Sequence, residues 1–569
     1  MKILKQEFNW NSDSLYHVMV FLLMASIPLS KYTTSMSQMG LTALWLWHGV
    51  ETGYLKGFSK TDWFSPSRWL LFVIQSLREI WKAFIAKWKA FFGNKEAMVL
   101  ASLYLMLVIG LLWTSDFNYA LKDLRTKVPL IILPLFLATG PKIKTKTLHW
   151  MLLGYSLALF GGTLYRLILL YNLEITDPRN IYAHMSHIRF SLNLVMSIFS
   201  LLYMSWKRAF EPLWMRTGMV LLAFYFALFM IYMQYDTGVA LMVIVAVIVA
   251  FVAAFRQSGL KSRYLLIAVS LLIFIIPVVY VSSVVREFRS VKPVYIFKLD
   301  QYTSNGNLYQ HDTTNFLIEN GEYPGLYICD KELRREWEKR SRVSFDGFDQ
   351  KEQLLRSTLI RYLASKGLRK DSLGISNLSD NDIHAIESGV TSFKNKSGFN
   401  IKTQVYNYLL SYSNYHNKGD PNAGSLVQRI EYWRTSLFII QKSPWFGVGT
   451  GDIPSAFERQ YNEMNSPLKP EFRKRSHNQY LSTLVAFGIF GFVWFVFALL
   501  YPAIKLNRLK QYYYLVFFIV VMVSMLTEDT IESQEGVTFF AFFTCLFLLA
   551  WKYSDGVTKN IAQIDSTIG

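Results

Sequence analysis

The chain has 569 residues, 52% of them hydrophobic and only 17% charged, which excludes an ordinary soluble globular protein. Its net charge of +19 comes without zinc-ligand spacing or any nucleic-acid motif, so the basic loops of a membrane protein account for it better than a nucleic-acid partner. Cys329 lies in a polar region and Cys545 in an apolar run, which excludes a disulfide framework.

Apolar runs of roughly 20 residues recur toward both ends of the chain, the length a helix needs to cross a bilayer. The first follows a polar, acidic stretch and lacks a small-residue cleavage site, so it reads as an uncleaved helix. About twelve spans are expected, at residues 15–30, 36–50, 97–113, 128–138, 148–171, 189–206, 217–235, 238–255, 264–285, 477–501, 512–527 and 537–551. The second and fourth are short, and tilt, re-enter or lie at the interface. If the N-terminus is cytoplasmic, the short inner loops and termini hold 24 Lys and Arg against 5 in the short outer loops. That bias predicts both termini inside and the long polar segment 286–476 outside.

Two insertions interrupt the spans. Within residues 51–95, a helix over 68–91 carries Trp81, Phe84, Ile85, Trp88 and Phe91 on one face. Lys82, Lys87 and Lys89 fall largely elsewhere, the pattern of a basic helix lying in the bilayer interface. The outer segment is mixed. Its first part alternates aromatic and polar residues around two Asn-Gly pairs, which predicts hairpins. Helices are expected at 332–341 and 351–366, and Ser379-Asp380-Asn381-Asp382 opens another. An amphipathic helix over 426–441 aligns Ile430, Trp433, Leu437 and Ile440 and ends at Ser443-Pro444. The turn Gly447-Val448-Gly449-Thr450-Gly451 lacks the Lys-Ser/Thr of a P-loop, so it reads as a tight turn bringing that helix to the membrane.

The stretch Ser476-His477-Asn478-Gln479-Tyr480 stands at the head of the tenth span. Ser476 and Gln479 have capping-box spacing, so the helix is expected to start there. A helix N-terminus offers a seat for phosphate oxygens and favours a neutral imidazole at His477, able to accept a proton. Lys469, Arg473, Lys474 and Arg475 precede it, either as a headgroup-binding run or as contacts for an external polyanion. Arg429 and Arg434 lie on the preceding amphipathic helix about 140° apart, so at most one faces its seam squarely. Arg189 opens the sixth span near His184 and His187, and either snorkels or forms an anion site at the outer rim. Arg166 is a second such cation, and Asp236 and Glu528 are rim carboxylates. There is no HExxH and Cys329 stands alone, so no metal site is expected. Cations for phosphate plus a neutral base suit attack by a hydroxyl on a sugar–pyrophosphate lipid.

The run RSHNQYLSTLVAFGIFGFVWF resembles the signature of the O-antigen ligase/polymerase superfamily, and RIEYWRTSLFIIQKSPWFGVGTGD is similar to its arginine–tryptophan helix, proline and G-x-G turn. The resemblance implies an all-α polytopic membrane protein, GT-C-like, with a large mixed α/β extracytoplasmic loop domain before the tenth span. The division is then 1–285 (spans one to nine), 286–476 (periplasmic loop) and 477–569 (spans ten to twelve), in a bacterial inner membrane. It implies a metal-independent, cofactor-free glycosyltransferase of the O-antigen ligase type. Undecaprenyl-pyrophosphate-linked glycan is the donor and lipid A-core or a similar hydroxyl the acceptor. His477 is then catalytic; Arg429, Arg189, Arg434, Arg475 and Lys474 contact pyrophosphate; Asn478, Ser476 and Gln479 support them. Many relatives carry a Ser-Arg pair where this chain reads Tyr235-Asp236-Thr237-Gly238, and Arg189 is expected to substitute. A polysaccharide polymerase, a protein O-oligosaccharyltransferase and a non-enzymatic lipid-glycan transporter are the alternatives.

Overall fold

The computed structural model describes residues 12–48, 50, 66–172, 181, 185–256, 259–289, 298–312, 318–319, 321–393, 401–422 and 424–553. They form two compact units. The first holds residues 1–256, 431–466 and 473–569, and the second 257–430 and 467–472.

Seven described helices are long and apolar enough to cross a membrane: Lys95–Trp113, Thr145–Asn172, His187–Trp206, Leu213–Tyr232, Asp236–Phe255, Leu260–Arg289 and Gln479–Lys505. The expected spans at 512–527 and 537–551 are the shorter apolar helices Tyr512–Thr527 and Gln534–Ala550. The first, second and fourth expected spans are the helices Ser12–Ser26, Lys31–Trp47 and Pro129–Thr139, all below spanning length by the same measure.

His187–Trp206 is the core of the first unit. It packs against the helices Thr145–Asn172, Leu213–Tyr232, Asp236–Phe255 and Tyr512–Thr527, which leaves its polar residues needing partners from within. They find them: the Tyr155 hydroxyl donates to Asn193 Oδ1 at 2.7 Å, and Ser197 Oγ to Ser156 Oγ at 2.6 Å. On the helix Pro66–Phe92, Lys87 departs from the expected polar face. It is buried with its ammonium 4.8 Å from the Trp45 ring centre, because the aromatic face offers a cation somewhere to bury. Phe91 is buried as well, away from the exposed Trp81 and Ile85 with which it was expected to share a face.

The glycine turn and the Gln479–Lys505 helix interrupt each other. Gly488 takes φ +61° inside that helix and breaks its hydrogen-bond ladder. Backbone groups freed by such a break in an apolar setting must pair, and Pro444–Gly449 supplies the partners. Val448 and Gly449 donate to the carbonyls of Val485 and Ala486, both at 2.9 Å, and Ile489 donates to the Pro444 carbonyl at 2.8 Å. A side chain on Gly447 would strike the Ala486 carbonyl, and one on Gly488 the Trp445 carbonyl. The turn thus locks the end of the Ser425–Lys442 helix to the middle of the one that follows His477.

In the second unit, Leu260–Arg289 packs against the helix Ile401–Lys418. A separate core of Leu333, Trp337, Phe345, Leu355, Leu359 and Ile386 gathers the helices Asp330–Trp337, Leu355–Ser365 and Asp380–Glu387. Ser379 and Asp382 form the capping box of the last of these. Among the described residues the expected hairpins reduce to isolated antiparallel bridges, such as Tyr302 with Leu308 around the left-handed Gly306, while Asn320 of the second Asn-Gly pair lies outside the described residues. Side chains take the place of a ladder there: Glu332 accepts from Thr303 Oγ1, Asn307 Nδ2 and the Ser372 amide. Cys329 and Cys545 are both free and buried.

Candidate active site

The site is built on the loop between the helices Tyr512–Thr527 and Gln534–Cys545, in the first unit. Its hub is the buried Asp529. The carboxylate accepts from the backbone nitrogens of His477 at 3.2 Å and Asn478 at 3.1 Å, and from Ser482 Oγ at 2.6 Å. Two successive N–H groups converge on one carboxylate because His477 takes φ +44°, the left-handed region that few residues with a Cβ adopt. Burial, followed by the neighbouring Glu532, raises the Asp529 carboxyl above its ordinary range, against the lowering effects of Ser482 and Arg475.

This arrangement corrects the expected start of the helix. Asn478, not Ser476, is the cap, and its Oδ1 accepts from Tyr480 N and Leu481 N. Ser476 Oγ is turned to Ser482 Oγ instead, and Gln479 Nε2 donates to Glu532 Oε1 at 3.1 Å rather than closing a capping box. His477 precedes the helix by two residues and is not in its first turn. The anion seat expected at this turn is filled by the protein's own Asp529.

The His477 ring stacks on Tyr432, with centroids 5.5 Å apart and planes 27° apart. Its Nδ1 is buried 3.5 Å from Glu528 Oε2, without a formed hydrogen bond among the described residues, while the side chain keeps 30% exposure. Arg189 joins the cluster from the head of the His187–Trp206 helix. Its guanidinium donates to Ser186 Oγ and to the Asp529 carbonyl, both at 3.3 Å, and its Nε is buried without a hydrogen bond among the described residues.

Behind these groups lies a buried ionic cluster. Lys127 Nζ bridges Asp123 at 2.9 Å and Glu532 at 2.7 Å, while Arg475 reaches Glu532 at 3.4 Å and the Tyr119 hydroxyl at 2.9 Å. Burial alone would raise the Glu532 carboxyl, but Lys127 and Arg475 outweigh it and hold it at about 2. Gln479 ties this cluster to the loop, accepting from the Ile531 amide at 2.9 Å. A small, mostly apolar cavity beneath is lined in part by Lys127, Gln479, Ser482, Thr483 and Glu532.

The expected pyrophosphate contacts have different surroundings. Arg189 and His477 are brought together through Asp529. Arg475 is committed to an internal ion pair. Lys474 is exposed, and Arg434 is exposed and 3.7 Å from Glu431 on its own helix. Arg429 belongs to the second unit. Arg473 pairs with Glu458 at 3.1 Å, and Lys469 lies in the second unit. Arg166 is buried under the Phe190 ring at 4.1 Å and donates to the Met185 carbonyl at 2.9 Å and the Tyr235 hydroxyl at 3.4 Å. Arg166, not the expected Arg189, is thus the arginine that contacts Tyr235. His184 lies outside the described residues. Among the described residues, no group of three His, Cys, Asp or Glu is placed to hold a metal ion.

Asp529, Glu532, Lys127, Tyr119, Tyr432 and Ser482 were not singled out from the sequence. A usable signal existed in Glu528-Asp529-Thr530-Ile531-Glu532, three carboxylates in five residues directly after an apolar helix, where charge is costly without a purpose.

The fold and site define a polytopic helical membrane protein with a histidine–carboxylate cluster at the head of one of its spans. Residues 384–496 match the family model of the O-antigen ligases, so the resemblance to that superfamily of enzymes is borne out over the segment that carries His477. No curated protein matches the chain.

Proposed function

We propose that this protein is a membrane glycosyltransferase of the O-antigen ligase type, moving a preassembled glycan from undecaprenyl pyrophosphate to an acceptor hydroxyl at the outer face of the bacterial inner membrane. The observation that carries this reading is the His477 ring. It is held in a left-handed turn by Asp529, with Nδ1 facing Glu528 and part of the ring still exposed. A carboxylate behind one ring nitrogen orients the imidazole and stabilises the cation it becomes on taking a proton at the other. The acceptor oxygen then forms the new bond to the anomeric carbon as its proton passes to His477 Nε2. The bond from that carbon to the pyrophosphate oxygen breaks, and its electron pair leaves with the lipid pyrophosphate.

Arg189 is the cation we assign first to the leaving group, since it reaches the same loop as His477. Arg434 and Lys474, in the same unit, are its partners in this reading. Arg475 acts from behind, through Glu532. The chemistry drawn here needs no metal.

The test is transfer by the purified protein from lipid-linked glycan to candidate acceptors, with and without His477→Ala. Loss of a general base costs about 10²–10⁴-fold in rate. Near-normal turnover by a folded His477→Ala protein overturns the assignment. Deletion of the gene separates ligase from polymerase: long unattached lipid-linked glycan accumulates for a ligase, single repeat units for a polymerase.

A further inference from the structure

We infer that the helix Pro66–Phe92 is a lipid-binding element that lies along the membrane surface and holds anionic phospholipid headgroups. The helix is 27 residues long but carries six charged residues, and it is not among the helices apolar enough to span. One face is pinned within its unit. Ala83, Lys87 and Phe91 are buried there, Lys87 donates to the Trp45 carbonyl, and Phe84 meets the Trp45 ring edge-on at 6.2 Å. With that face fixed, the direction of the others is fixed too.

Leu70, Ile74, Leu77, Trp81, Ile85 and Phe92 are each between 44% and 62% exposed. At 100° per residue these six fall within an arc of about 80°, a continuous apolar stripe. Arg78, Lys82 and Lys89 stand about 20–60° beyond one edge of that arc. Lys82 is shared with Glu79 at 2.7 Å, so Arg78 and Lys89 carry most of the positive character of this flank.

A stripe for acyl chains with cations along one edge matches a bilayer surface that contains anionic lipid, where both parts are satisfied at once. A second copy of the chain fits less well. An antiparallel two-fold contact through the stripe brings each basic flank toward its own image, like charge against like. The inference is independent of the transferase reading, because among the described residues this helix makes no contact with the His477 cluster.

The test uses the full-length protein in nanodiscs of mixed phosphatidylcholine and phosphatidylglycerol. A spin label on Leu77→Cys should be open to oxygen and closed to a water-soluble nickel reagent, while one on Gln75→Cys shows the reverse. In native mass spectrometry, Arg78→Gln with Lys89→Gln should retain less phosphatidylglycerol, about fivefold less per charge removed, with phosphatidylcholine unchanged. Nickel access at Leu77→Cys places the stripe in water and overturns the inference. Spin–spin coupling between Leu77→Cys labels on two copies assigns the face to self-association and overturns it as well. Unchanged phosphatidylglycerol retention in the double variant removes the claim on anionic headgroups.

Discussion

The Asp529 carboxylate accepts the backbone N–H of His477 at 3.2 Å and that of Asn478 at 3.1 Å, fixing the left-handed turn on which the imidazole is presented. Asp529→Asn keeps the shape but replaces one acceptor oxygen by a donor that faces N–H groups. We expect turnover to fall at least tenfold and stability to drop by about 1–3 kcal/mol, the cost of a buried backbone donor left without a partner. Thermal unfolding in detergent beside a transfer assay checks both. An Asp529→Asn protein with unchanged rate and stability would remove Asp529 as the hub.

Glu528 faces the buried ring nitrogen of His477 at 3.5 Å. Glu528→Gln should lower kcat with little change in donor KM, because the carboxylate steadies the imidazolium that forms only as the reaction proceeds. A rise in KM at constant kcat would instead assign Glu528 to substrate binding.

Arg189→Ala should weaken donor use more than acceptor use, and Arg189→Lys should restore it poorly, since an ammonium cannot make a two-pronged contact with phosphate. Steady-state kinetics with donor and acceptor varied separately gives the answer. Equal effects on both substrates would make Arg189 a clamp on Asp529 rather than a pyrophosphate contact.

Glu532 is buried and held at about 2 against an ordinary value of 4.5. A depressed carboxyl adds stability that is fully present above the unfolded value and is lost as pH falls through the folded one. Wild-type unfolding temperature should therefore decline between about pH 4.5 and 2, and Glu532→Gln should lack that component. At neutral pH the variant should lose about 3–5 kcal/mol, because Lys127 keeps only Asp123 and Arg475 loses its carboxylate. Parallel acid profiles for the two proteins would show that the cluster contributes no linkage.

Gly488 at φ +61° and Gly447 at φ +69° each press against the backbone of the other's segment. Gly488→Ala and Gly447→Ala should both reduce folded yield. The left-handed conformation alone costs a residue with a Cβ about 1–2 kcal/mol, and the carbonyl contacts add to it. Gly161→Ala is the control, since a Cβ there meets nothing within 4 Å. Equal yields across all three variants would show that the interlock tolerates a shift.

Much of this was legible locally. Helices appeared where apolar runs and amphipathic periods placed them, because those signals depend on neighbours three or four residues away. Ser379 and Asp382 form their expected capping box for the same reason: both partners lie within one turn. Ser476 and Gln479 have the same spacing and form none, because stronger partners come from far along the chain. Asp529 takes the N–H groups beside Ser476, and Glu532 takes the Gln479 amide, more than fifty residues away. Arg475, read as a phosphate contact, is consumed by Glu532, which also holds Lys127 from across the sequence. Local pattern could single out His477 as the residue to watch. Which carboxylate orients it, which arginine stands beside it and which cations are already paired were decided only by tertiary packing, since a buried charge takes whatever opposite charge the fold brings to it.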